Sequence, residues 1–111
     1  MNFIKYFQNN KYELNKNDCW CFIQDIFKDE HNILLPNHPI MTDKTEIASY
    51  LKSNISYQIM ETAEKGCIIY FVKNNLHHVG YALNDKKYIH KTFESVEISD
   101  IPKNATIYKI L

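Results

Sequence analysis

Hydrophobic side chains recur every three or four residues in the first half of the chain, as they do along one face of an amphipathic helix. Residues 2–8 and 43–53 show this spacing over short stretches, so each predicts a short helix. A longer helix is predicted from a cap at Asn17 or Asp18 to about residue 30. Its buried face should consist of Cys19, Phe22, Ile23, Ile26 and Phe27.

The second half of the chain has short apolar runs instead, some of them alternating, and these are typical of strands. Asn84-Asp85 separates two such runs and predicts a tight hairpin turn between them. Strands are expected near residues 55–59, 67–72, 78–83, 87–91 and 105–110. Helices followed by consecutive antiparallel strands indicate an α+β fold, with the N-terminal helices packed on one face of an antiparallel β-meander.

Composition narrows the possible functions. The 111 residues predict one domain spanning 1–111, and 13 basic residues balance 13 acidic ones. A chain without basic excess is not expected to bind nucleic acid, and two glycines leave no phosphate-binding loop. No apolar run is long enough to span a membrane. The first seven residues lack the apolar stretch of a signal peptide, so we expect synthesis in the cytoplasm.

Cys19 falls on the first turn of the longer predicted helix. The helix dipole and the free N–H groups of that turn favour a thiolate, which is the nucleophilic form of cysteine. The backbone N–H of Cys19 would also point towards an oxyanion on an attacked carbonyl. The alternative interpretation is a small buried core residue. With Cys21 and Cys67 the cysteine count is odd, which argues against a disulfide framework.

A reactive thiol needs a base, and two histidines are candidates for a base and its orienting partner. If Asn84-Asp85 is the turn, His78 and His90 lie at nearly opposite positions on paired strands, so their side chains could touch on one face. The alternative is a pair of surface histidines on a hairpin. His77 is a neighbour on the same strand and must point to the other face, so only one of the two can face Cys19.

Four segments carry a family resemblance: residues 18–24 with 34–36, residues 66–71, residues 78–83 and residues 88–90. In this order they resemble the nucleophile helix, the Gly-Asp-hydrophobic strand, the His-Val-Gly strand and the third-residue strand of the NlpC/P60 cysteine peptidases. The Trp after the Cys is most similar to the branch found in tailed-phage tail assembly proteins.

The resemblance implies a papain-like peptidase that cleaves peptide bonds in peptidoglycan stems without a metal or other cofactor. It implies Cys19 as nucleophile, His78 as base and His90 as the orienting residue, and it selects His78 over His77. Tyr12 is a candidate for the oxyanion hole, since family members can use a Tyr upstream of the Cys. Expected partners are a peptidoglycan peptide and a phage-tail, secretion or immunity protein.

Three alternatives differ in chemistry. A papain-like acyl or amide transferase or a deamidase toxin would use the same thiol, although such relatives usually place the His before the Cys. A structural phage-tail component would keep the fold without catalysis. A zinc site would use Cys19, Cys21 and the histidines, but zinc sites usually space paired cysteines by two to four residues.

Overall fold

The computed structural model describes residues 19–35, 56–74, 76–92 and 95–111. Within them, one helix accompanies a six-stranded sheet in which every pair of neighbouring strands is antiparallel. These elements fit the α+β class that the sequence predicts. Their bounds are α1 Cys19–His31, β1 Tyr57–Met60, β2 Ile68–Lys73, β3 Leu76–Ala82, β4 Lys87–Lys91, β5 Val96–Asp100 and β6 Thr106–Ile110.

The strand order across the sheet is β1-β6-β2-β3-β4-β5. Strands β2 to β5 follow one another as the predicted meander does. The meander prediction is wrong for β6, which crosses back and lies between β1 and β2. It also lacked β5, because the sequence Val-Glu-Ile-Ser-Asp is rich in residues that strands disfavour, and only its Val is buried.

Helix α1 begins and ends close to where the pattern predicts. It packs against β3 and β4, and its buried residues are Cys19, Trp20, Phe22, Ile23, Ile26 and Phe27. Asn32 follows it with a φ of 54°, the left-handed conformation that asparagine tolerates and that commonly ends a helix. The N–H of Ile33 then donates to the carbonyl of Phe27 at 3.1 Å and closes the helix end.

The last two turns of α1 contact the C-terminal end of β3. The ring of Phe27 meets that of Tyr81 edge-on, with centroids 5.6 Å apart. The Nε2 atom of His31 lies 2.8 Å from the Tyr81 hydroxyl oxygen. His31 is the last residue of α1 and is exposed, and this contact connects the end of the helix to the sheet.

The sheet has two differently packed faces, because successive side chains of a strand point to opposite sides. The face that we call the α1 face joins the helix core through Ile68, Tyr70, Val79, Tyr81, Ile89, Val96 and Tyr108. The other, which we call the outer face, carries a second cluster formed by Ala63, Cys67, Ile69, Ala82, Tyr88 and Ile107. Cys67 is 1% exposed, so it is a core residue of this cluster.

Some predictions concern residues outside the described ranges. They are the helices at 2–8 and 43–53, the caps Asn17 and Asp18, and the oxyanion candidate Tyr12. No helix among the residues that the structure describes is both long and apolar enough to cross a membrane.

Candidate active site

Cys19 is the first residue of α1 and is 2% exposed. The positive end of the helix dipole lies at this end of α1. Its side chain belongs to the core cluster on the α1 face. Cys21, two residues further on, is partly exposed, and a step of two residues turns about 200° around a helix, away from Cys19.

The structure brings His78 and His90 into direct contact. The Nε2 atom of His78 lies 2.7 Å from Nδ1 of His90. The two rings are nearly perpendicular, at 83°, with their centroids 4.8 Å apart. Both residues have the same strand parity as the outer-face cluster, so the pair lies on the outer face.

The pairing of this hairpin differs from the predicted one by two residues. Tyr81 pairs with Ile89, so Gly80 is the residue opposite His90, and the two histidines are diagonal neighbours. The reason lies in the turn, where the Asn84 side-chain oxygen accepts the N–H groups of Lys86 and Lys87, at 2.8 and 2.9 Å. That side-chain contact moves the centre of the turn from residue 84 to residue 85.

Aromatic side chains hold the two imidazoles from both sides. The Phe71 ring meets His78 edge-on at 5.2 Å. The Tyr88 ring stacks on His90 at 4.3 Å with an interplanar angle of 16°. Tyr88 can lie there because residue 80 is glycine, since a Cβ atom at Gly80 would come within 2.4 Å of the Tyr88 ring. The Gly of the His-Val-Gly segment thus makes room for the ring that orients His90.

Sequence reasoning missed a further member of this group. The Oγ atom of Ser99, on β5, lies 2.9 Å from Nε2 of His90. Ser99 pairs with Tyr88 and Glu97 with His90, so this contact is also diagonal across neighbouring strands. No signal in the sequence pointed to Ser99, because the strand that carries it was not predicted.

Burial controls the charge of the two imidazoles. Desolvation by burial, with a smaller contribution from the nearby charge of His90, lowers the pKa of His78 to about 4. Burial also lowers the pKa of His90, and the carboxylate of Glu97 partly opposes that shift. Both rings are therefore neutral near pH 7, the state in which an imidazole can accept a proton.

His77 lies on the α1 face, on the same side of β3 as Val79 and Tyr81. Its ring stacks on that of Tyr70, with centroids 5.7 Å apart and an angle of 18°, and its Nδ1 atom is hydrogen-bonded to the Tyr70 hydroxyl. The two neighbouring histidines thus have separate partners. His77 shares a face with α1, whereas His78 belongs to the imidazole pair.

The family model for NlpC/P60 matches residues 6–111, which is nearly the whole sequence. The chain belongs to the NlpC/P60 family. Members of this family are generally cysteine peptidases and amidases, so a cell-wall hydrolase is the activity that membership suggests. No curated protein matches the sequence.

For an NlpC/P60 protein the side chains of interest are a thiol and an imidazole. In the structure, Cys19 is the first residue of α1, and the imidazole of His78 is hydrogen-bonded to that of His90. Among the four described ranges, no three His, Cys, Asp or Glu residues are grouped so that they could hold a metal ion.

Proposed function

We propose that this NlpC/P60 protein is a papain-like cysteine hydrolase that cleaves peptide or amide bonds in peptidoglycan stem peptides. Cys19 is the nucleophile, His78 the general base and His90 the residue that orients His78. The observation that carries the proposal is the contact, at 2.7 Å, between the partly buried imidazole of His78 and the buried imidazole of His90, in a chain of the NlpC/P60 family.

The contact between the imidazoles assigns a task to each nitrogen of His78. Nε2 is engaged with His90, so Nδ1 is the nitrogen available to a thiol. In the first step the thiol proton of Cys19 passes to Nδ1, and the sulfur attacks the carbonyl carbon to give an oxyanion. When the oxyanion collapses, the C–N bond breaks, the imidazolium gives its proton to the leaving amine, and a thioester remains.

Water completes the cycle. A water molecule gives one proton to Nδ1 of His78 and attacks the thioester carbonyl. The C–S bond then breaks, the acid product leaves, and the proton returns to the sulfur of Cys19. The backbone N–H of Cys19 is suited to stabilise the oxyanion in both halves of the cycle, and Tyr12 is the proposed second donor.

The ladder between β3 and β4 supports a meeting of Cys19 and His78 although the helix packs on the α1 face. In the described strands this ladder consists of Tyr81 with Ile89 and Ala82 with Tyr88. It therefore ends before it reaches His78. A sulfur from one face can reach an imidazole of the other face where the strands are no longer paired.

Lengths along the two elements are compatible with that meeting. Cys19 stands eight residues before Phe27, about 12 Å at 1.5 Å per helical residue. His78 stands three residues before Tyr81, about 10 Å at 3.3 Å per strand residue. Phe27 and Tyr81 are in contact. The proposal requires that the helix from Phe27 back to Cys19 and the strand from Tyr81 back to His78 run in the same direction.

Delivery to the cell wall is part of the proposal. The protein is made in the cytoplasm and reaches its substrate through a phage tail or a secretion system. An immunity protein would protect the producing cell in the second case.

The test is cleavage of purified peptidoglycan stem peptides, followed by mass spectrometry of the products. Cys19→Ala and His78→Gln should each reduce cleavage at least about 1,000-fold, since both residues act on the bonds that form and break. Cys21→Ala is the matched control for a thiol of the same helix and should cleave as the unmodified protein does. Cleavage that survives Cys19→Ala would disprove the mechanism.

His77→Gln distinguishes the two adjacent histidines. We expect it to keep most of the activity, because the His77 ring is engaged with Tyr70. If His77→Gln removes the activity and His78→Gln does not, the base has been assigned to the wrong face of β3. An amine acceptor added to the same assay separates hydrolysis from acyl transfer by the mass of the product. Reaction of Cys19 with iodoacetamide no faster than that of free cysteine would indicate a non-catalytic structural protein.

A further inference from the structure

Ser99 is the next member of the hydrogen-bonded chain that begins at His78. His78 Nε2 contacts His90 Nδ1 at 2.7 Å, and His90 Nε2 contacts Ser99 Oγ at 2.9 Å. Both contacts join diagonal positions of neighbouring strands, so the backbone register of β3, β4 and β5 sets them. The chain therefore ends on a hydroxyl group, which can either donate or accept a hydrogen bond.

The two polarities of this chain have opposite chemical consequences. A neutral imidazole carries one N–H and one lone pair. If Ser99 accepts the Nε2–H of His90, then Nδ1 of His90 accepts the Nε2–H of His78, and Nδ1 of His78 keeps its lone pair. If Ser99 donates instead, every bond reverses and the hydrogen of His78 sits on Nδ1. In that arrangement His78 cannot take the proton of a thiol.

We propose that Ser99 is a positioning residue that accepts the Nε2–H of His90 and thereby keeps His78 in the tautomer that can act as a base. This proposal rests on the proposed function of Cys19 and His78. Ser99 does not touch the substrate or the reacting atoms, and it acts through His90. Its effect is on the fraction of molecules whose His78 has Nδ1 unprotonated.

The side chains around Ser99 favour this role over a purely structural one. Ser99 is paired with Tyr88, whose ring already holds the plane of His90 by stacking. The ring plane is thus set by an aromatic contact, and the hydroxyl is left to determine which nitrogen of His90 carries the hydrogen. Glu97, opposite His90, is exposed, and its negative charge acts to raise the pKa of the His90 ring.

The test uses Ser99→Ala, which removes the acceptor, and Ser99→Thr, which restores it. Ser99→Ala should lower kcat about two- to ten-fold with KM unchanged, the range that a single hydrogen bond supplies. Ser99→Thr should return kcat to within about two-fold of the unmodified protein. Ser56→Ala, at an exposed serine at the start of β1, is the matched control and should change neither constant.

A second readout does not depend on activity. Long-range nitrogen–proton NMR of the histidine rings, recorded on the Cys19→Ala background, reports which ring nitrogen carries the hydrogen. We expect an Nε2–H tautomer of His90 in the parent and a mixture of tautomers after Ser99→Ala. An unchanged His90 tautomer together with an unchanged kcat would overturn the role of Ser99. Survival of cleavage in Cys19→Ala alone would instead overturn the proposed function.

Discussion

Burial determines the protonation of the two histidines on the outer face. The rings of Phe71 and His90 contact His78, and desolvation by burial is the larger cause of its lowered pKa. Its pKa of about 4 makes the neutral ring the resident form in the free protein. A neutral ring suits general-base catalysis, in which the thiol and the imidazole exchange a proton as the substrate is attacked. The same burial makes folding sensitive to acid.

Stability should fall as the pH is lowered from 6.5 towards 4. In this window the unfolded chain binds a proton at residue 78 that the folded protein excludes, because burial lowers the folded-state pKa of His78 from 6.5 to about 4. The loss from this side chain is about 3 kcal/mol and is complete below pH 4. Urea unfolding of the unmodified protein and of His78→Gln at several pH values measures the difference.

The comparison with His78→Gln isolates this side chain from the carboxylates that also titrate in acid. Between pH 6.5 and 4 the unmodified protein should lose about 3 kcal/mol more stability than His78→Gln, and below that range the two curves should run parallel. Parallel curves over the whole range would show that His78 is not buried as a neutral ring.

At the scale of elements, side chains that pack locally were predictable and side chains placed by long-range pairing were not. The hydrophobic spacing of α1 and the turn after Ala82 depend on residues that are close in the sequence. The positions of both elements were therefore predicted within a few residues. The contact of His78 with His90 followed from the turn, although the Asn84 side chain moved the centre of the turn by one residue and the pairing by two. Ser99 was missed because β5 is held by its pairing with β4 rather than by its own composition.

Gly80 lies beside the imidazole pair at a position that leaves no space for a side chain. A Cβ atom there would lie 2.4 Å from Cδ2 of Tyr88 and 2.9 Å from the carbonyl oxygen of Ile89. Tyr88 is 2% exposed and has little space to move away. Gly80→Ala should therefore destabilise the protein by about 1–3 kcal/mol, as overpacking of a filled core does. It should also lower activity, because the displaced ring is the one that stacks on His90.

A double-mutant cycle with Tyr88→Ala separates the two clashes at Gly80. In the Tyr88→Ala background, Gly80→Ala should cost less, since only the contact with the Ile89 carbonyl remains. Urea midpoints of the four proteins give the coupling free energy. Additive effects of the two substitutions would show that the Tyr88 ring does not lie over residue 80.

At the scale of the whole molecule, β6 joins β1 to the four consecutive strands β2 to β5. It pairs with β1 on one side and with β2 on the other, although β2 precedes it by more than 30 positions. Ile107 fills the outer-face cluster and Tyr108 fills the α1-face core, with 9% and 3% exposure. The hairpin that carries the two imidazoles is thus supported by a strand that holds none of the proposed catalytic residues.

Deleting residues 106–111 should abolish cooperative unfolding and peptide cleavage together, although every proposed catalytic residue is still present. The deletion removes two ladders at once and leaves the β2 edge and both clusters open to water, a loss that exceeds the about 5–15 kcal/mol by which a small domain is stable. Deleting Leu111 alone is the matched control. That residue is 68% exposed, and its N–H donates one hydrogen bond, at 3.0 Å, to the Ser56 carbonyl. Its deletion should therefore lower the free energy of unfolding by only about 1 kcal/mol. Circular dichroism during urea unfolding checks both deletions. A cooperative transition that persists without residues 106–111 would mean that the hairpin and α1 fold without β6.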